Sequence, residues 1–186
     1  MKKIITIALS FTTALIFGQA PSSFTLNKDG LTDFIVTDSP NQNQSQLYKK
    51  TLDWVQAKYQ NVTETVKDRA ENDRITIEST TKPLVSLNPA ARVNHLSKYQ
   101  VEIAFKEGKY KFDLLSLEYY VAPSQIDAGG WRKINLSDVK EYYTRMGELR
   151  PTYKYFPEIA DFFNKLNDEL RQFLLGETTA VKKSEW

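Results

Sequence analysis

Between Gln46 and Gln60, Tyr48, Leu52, Val55 and Tyr59 recur at intervals of four, three and four residues, one face of an α-helix. Leu47 and Trp54 widen that face, and Lys49, Lys50, Asp53, Gln56 and Lys58 fall opposite. The polar stretch SPNQNQS over 39–45 supplies a loop and a cap at Asn43 or Ser45, and Asn61 a stop. The spacing predicts a helix over 45–60. Upstream, Phe24 and Leu26 alternate with polar residues, Lys28-Asp29-Gly30 makes a turn, and Phe34-Ile35-Val36 is β-rich.

Past Asn61 the period shortens to two. Val62–Lys67 is rich in β-branched residues, Glu71-Asn72-Asp73 turns the chain, and Arg74–Glu78 alternates strictly. The clearest alternation sets Tyr99, Val101, Ile103 and Phe105 on one face, turns at Glu107-Gly108, and resumes with Tyr110, Phe112 and Leu114. This predicts an antiparallel hairpin over 98–120 with one buried face. Thr81–Leu96, holding Pro83, Pro89 and Ala90-Ala91, reads as a long connection with one short strand at 84–87.

Residues 123–135, with Gly129-Gly130, read as a loop. Ser137 is expected to cap a helix running to Gly147, with Val139, Tyr142, Tyr143 and Met146 as its stripe. A last helix starts at Pro157, carries Ile159, Phe163, Leu166, Leu170 and Phe173, and ends at Gly176. The whole predicts an α+β domain: an antiparallel sheet of about five strands packed against helices 45–60 and 157–175. Its expected core is Tyr48, Leu52, Val55, Ile103, Phe105, Phe163, Leu166 and Leu170.

The first twenty residues change the compartment. Lys2-Lys3, an apolar run from Ile4 to Phe17 and small residues around Gly18–Ala20 make a secretory signal peptide, cut after Gly18 or Ala20. The expected organisation is a signal peptide over 1–20, an α+β domain over 21–122, and a C-terminal helical extension over 123–186, frayed after 176. The product is expected to be periplasmic or secreted, with no membrane anchor once the signal is cut. Of 25 basic residues, Lys2 and Lys3 leave with the signal, so 23 face 23 acidic ones. A neutral mature chain has no basic excess for nucleic acid or anionic lipid. The absence of cysteine excludes disulfides, thiol catalysis and thiolate metal sites.

Catalytic groups are sparse. His95 is the sole histidine, with no nucleophile or orienting partner beside it in sequence. Asp68, Glu71, Asp73 and Glu78 are interleaved with Arg69 and Arg74 and lack the spacing of a calcium loop. No catalytic residue, metal site or cofactor is assigned. Gly129-Gly130 permits a tight turn beside Trp131; Trp131, Tyr119 and Tyr120 are candidates for a ligand platform, and His95 is the fourth candidate binding residue. Asn43, Asn61 and Asn135 open glycosylation triplets.

The runs Gln46-Leu47-Tyr48-Lys49, Leu52-Asp53-Trp54-Val55, Tyr59-Gln60-Asn61, Tyr99 to Ile103 and Phe105 to Phe112 resemble the DUF4468 family, exported bacterial proteins of unknown function. The tail Lys182 to Trp186 is similar to family endings. The resemblance implies a strongly curved antiparallel sheet with a helix laid across it, a TBP-like fold, and carries over no site residues. Fold alone does not confer DNA reading. The expected function is a non-catalytic periplasmic module binding a protein, a peptide or a small apolar ligand, and no nucleic acid. The alternative is a cryptic hydrolase using carboxylates and His95.

Overall fold

Helix α1 (Gln44–Lys58) begins in a capping box: the Asn43 side chain accepts from the Gln46 N–H at 2.8 Å, and the Gln46 side chain accepts from the Asn43 N–H at 2.9 Å. The computed structural model describes residues 20–88 and 93–177. The expected signal peptide short of Ala20, residues 89–92 and the tail after Glu177 lie outside the described residues.

In chain order the strands are β1 (Leu26–Asn27), β2 (Gly30–Leu31), β3 (Phe34–Asp38), β4 (Val66–Ala70), β5 (Arg74–Asn88), β6 (Val93–Lys106), β7 (Lys109–Val121) and β8 (Gly130–Lys133). β1 and β2 form a small hairpin. The main sheet is antiparallel in the order β3-β7-β6-β5-β4, and β8 pairs with β7 further along the edge that β3 occupies. Six strands thus stand where about five were expected. The sheet is curved and open, and α1 and α3 (Phe156–Leu175) pack on one face of it.

Helix α3 keeps Pro157 in its first turn and ends at Gly176, whose φ of 74° closes the C-terminus. Its Leu174 carbonyl accepts from Gln42 Nε2 at 2.6 Å and Lys50 Nζ at 3.0 Å, which ties the helix end to α1. Ile35, Ile75, Val101, Ile103, Phe112 and Leu117 are buried beneath Leu47, Val55, Phe163 and Leu170. Of the expected core, Leu52 is only half-buried. Thr51 points inward in its place.

Four expectations are corrected. Val62–Thr65 is a helical turn, α2, because Asn61 caps it rather than stopping α1; only Val66 onward is strand. Thr81–Leu96 is no connection: β5 and β6 extend through it as one long hairpin. Pro83 sits within the register shift between Thr81 and Val85, where the ladder needs no donor. There Ser97 Oγ accepts from the Leu84 N–H at 3.0 Å.

The expected loop 123–135 contains β8. The expected helix 137–147 is only a 3-10 turn over Lys140–Tyr142, which buries Val139 and Tyr142 and leaves Met146 89% exposed. Tyr142-Tyr143-Thr144 are poor helix formers, and Tyr143 bridges Leu149 instead.

Candidate functional site

Alternation along β6 turns His95, Ser97 and Tyr99 toward the helices and Leu96, Lys98 and Gln100 to the outer face. On β7, Tyr119 lies opposite Ser97 and Tyr120 opposite Trp131 of β8. The four candidate residues therefore gather at one end of β6–β7–β8, but the sheet divides them into two pairs.

On the helix side, the His95 and Tyr119 rings meet edge to face at 5.5 Å. His95 Nδ1 lies 2.8 Å from the Tyr120 carbonyl; a carbonyl only accepts, so Nδ1 carries a proton and donates. His95 is thus on a strand, not in a soft loop. Nearby, Tyr142, Tyr153, Tyr155 and Phe156 stack on one another, with the Tyr142 and Phe156 rings 4.3 Å apart. Burial pushes the Tyr142 and Tyr155 phenols well above their ordinary range. Tyr119 packs against this core.

On the outer side, Tyr120 and Trp131 meet at 5.4 Å and are 38% and 39% exposed, forming an aromatic ledge. Lys98 Nζ lies 4.7 Å from the Trp131 ring and pairs with Glu118 at 2.7 Å. The turn that delivers Trp131 is tightly built. Gly129 has φ +71°, and a Cβ there would sit 2.6 Å from the Pro123 nitrogen. The Asp127 carboxylate accepts from the Gly129 N–H and from Arg132, and these contacts hold it below the usual carboxylate range.

Several charges over the rest of the outer face and its β4 edge are paired. Arg74 meets Asp68 at 3.0 Å, Asp73 at 3.5 Å and Glu102 at 3.6 Å; Lys67 meets Glu78 and Lys111 meets Asp113. Asp68, Asp73 and Glu78 are thereby paired, and among the described residues no group of three His, Cys, Asp or Glu is placed to hold a metal. The three glycosylation asparagines are committed locally: Asn43 and Asn61 cap helices, and Asn135 Oδ1 accepts from the Ser137 and Asp138 N–H groups.

Two features escaped the sequence reading. One is a break in the row formed by β3 and β8: neither strand pairs with β7 between Leu114 and Leu117, where a cleft of about 440 Å³ opens beside Leu115 and Lys133. The other is a second cleft where Tyr59 and Tyr99 bring their hydroxyls within 2.9 Å. Nothing in the spacing of either residue reveals that a helix end and a mid-strand position meet.

The family model described as a domain of unknown function, DUF4468, with TBP-like fold matches residues 35–120. Over residues 35–120 the chain is similar to DUF4468 domains. Two solved structures share the fold. A DUF4468 family protein from Bacteroides ovatus is 13% identical, with a TM-score of 0.59, covering 89% of this chain and 95% of that one. A TBP-like protein from Parabacteroides distasonis is 14% identical, with a TM-score of 0.54, covering 76% of this chain and 90% of that one. No curated protein matches the chain. The DUF4468 resemblance in the α1 and hairpin motifs is borne out; the tail 182–186 lies outside both the matched segment and the described residues. The family has no assigned function, and identities this low speak for the fold alone.

Proposed function

We propose that this protein is an exported, non-catalytic binding module that engages another protein through the outer ledge of Trp131 and Tyr120. The observation that carries the reading is the exposure of these two rings side by side on the outer face, next to the Lys98–Glu118 pair. Aromatic residues held rigidly at a surface are the usual anchors of protein interfaces. The Asp127–Arg132 pair and the glycine turn supply that rigidity. With the signal removed, 23 basic residues face 23 acidic ones, which leaves no net basic excess for nucleic acid. The hydrolase alternative needs a group for His95 Nε2 to activate, since Nδ1 donates to the Tyr120 carbonyl, and among the described residues no carboxylate forms an ion pair with His95.

Export rests on the N-terminal pattern Lys2-Lys3, apolar run and small residues. Mass spectrometry of the protein recovered from a native host tests it: a mature N-terminus at Gln19 or Pro21 supports export, and an intact Met1 start contradicts it. For binding, affinity capture from the exported fraction is compared between wild type, Trp131→Ala and Met146→Ala. A partner held by wild type and Met146→Ala but lost by Trp131→Ala supports the ledge. Equal capture by all three, at equal melting temperature, rejects it.

A further inference from the structure

The cleft between the C-terminal end of α1, the middle of β5 and β6, and α3 has a volume of about 340 Å³, at the small end of ligand sites. Its wall carries the Tyr59–Tyr99 hydroxyl pair, 2.9 Å apart. Burial raises both phenols, so both keep their protons at ordinary pH. The Ser79 hydroxyl lies against Tyr99 as well, so three hydroxyls line one wall of the cleft. On the α3 side stand Glu169, held by Lys58, and Lys165 one turn earlier. Among the described residues Lys165 forms no ion pair. Lys58 is itself fixed over the Trp54 and Tyr59 rings, 5.9 Å from each. Phe162 and Leu166 supply an apolar wall, and Ser79 adds a hydroxyl.

Lys58 and Glu169 neutralise each other, and the Lys165 ammonium repels a cation and can donate to a hydroxyl or to a carboxylate, which the acetate control separates. The set offers hydroxyls, one ammonium and an apolar wall. It matches a neutral molecule with several hydroxyls and an apolar C–H face, which exchanges hydrogen bonds with donors and acceptors together. We propose that the cleft bounded by Tyr59, Tyr99, Phe162, Lys165 and Glu169 binds a small neutral polyol of about one sugar ring. The inference is independent of the outer ledge, which lies on the opposite face of the sheet.

The test is NMR titration of the mature protein with glucose, galactose and mannose, and with sodium acetate as the anion control. At least one of the sugars is expected to give saturable shifts at Tyr59, Ser79, Phe162 and Lys165, and acetate none. The variant Tyr59→Phe/Tyr99→Phe removes both partners of the buried bond together, so it keeps its fold and is expected to bind about tenfold more weakly. Lys165→Ala, at an exposed position, is the second variant and is expected to weaken binding at an unchanged melting temperature. No shift with any of the sugars, stronger shifts with acetate, or equal affinity in a folded double variant would each overturn the proposal. Trp131→Ala is expected to leave the titration unchanged.

Discussion

The Asn164 side chain on α3 makes both backbone hydrogen bonds of Phe24: the Phe24 N–H donates to Oδ1 at 2.7 Å, and Nδ2 donates to the Phe24 carbonyl at 2.9 Å. An amide side chain here does the work of a neighbouring strand. Leu26 pairs with Leu31, Thr32 donates to the Thr25 carbonyl and Val36 to the Pro21 carbonyl, so residues 21–36 form one hairpin that opens at Phe24. The opening lets the Phe24 ring enter the core, 6.1 Å from both Phe112 and Phe163.

Asn164→Ala removes both bonds and strands two partly buried backbone groups. It is expected to destabilise the fold by about 1–3 kcal/mol in urea unfolding, with Asn164→Asp intermediate because it keeps only the acceptor. Wild-type stability in Asn164→Ala would show that the N-terminal hairpin contributes nothing to the fold.

Phe163 is fully buried against Phe24, Tyr99 and Phe162. Phe163→Ala is expected to cost about 3–5 kcal/mol, read as a lowered denaturant midpoint at unchanged slope. An unchanged midpoint would reject this core.

Leu115 is an extra residue in β7. Val101 pairs with Leu114 and Gln100 with Ser116, so Leu115 bulges, 43% exposed, and the inward phase passes from Phe112 and Leu114 to Leu117. Deleting Leu115 removes the bulge, leaves Leu114 and Leu117 both inward in a regular ladder, and is expected to keep cooperative unfolding. Leu115→Ser keeps the bulge and is expected to stay within about 0.5 kcal/mol of wild type. Loss of cooperative unfolding in the deletion variant would refute the bulge.

How much of this was legible follows from the range of the forces involved. The α1 stripe, the α3 stripe with Gly176, and the alternation from Tyr99 to Phe112 are local patterns, and they stand as read. The 81–96 segment misled because Pro83 reads as a breaker unless the register shift that accommodates it is known. The 137–147 stripe misled because packing of Val139 and Tyr142 onto neighbours outweighs a weak helical period. Spacing groups Tyr119, Tyr120 and Trp131 as one platform and leaves His95 apart; strand pairing brings all four to one end of the sheet. Which face each occupies depends on the register of β6 to β8, which spacing does not encode.

Burial raises the phenols of Tyr59, Tyr99, Tyr110, Tyr142 and Tyr155. Their folded pKa values exceed the unfolded value of about 10, so their contribution to stability is full below that pH and is lost as pH climbs through it toward the folded values. In an alkaline titration followed by phenolate absorbance and circular dichroism, these five are expected to ionise late, together with unfolding. Reversible ionisation of every tyrosine near pH 10 (about the free phenol value) with the fold intact would contradict this.

The central claim is that the ledge of Trp131 and Tyr120 is where this protein meets its partner. A photo-crosslinking amino acid placed at position 131, and separately at 146, in the protein expressed in its native host tests it most directly. The account predicts a discrete crosslinked protein from position 131 and none from position 146, although Met146 is the more exposed of the two. No crosslink from 131, or the same product from both positions, would contradict it.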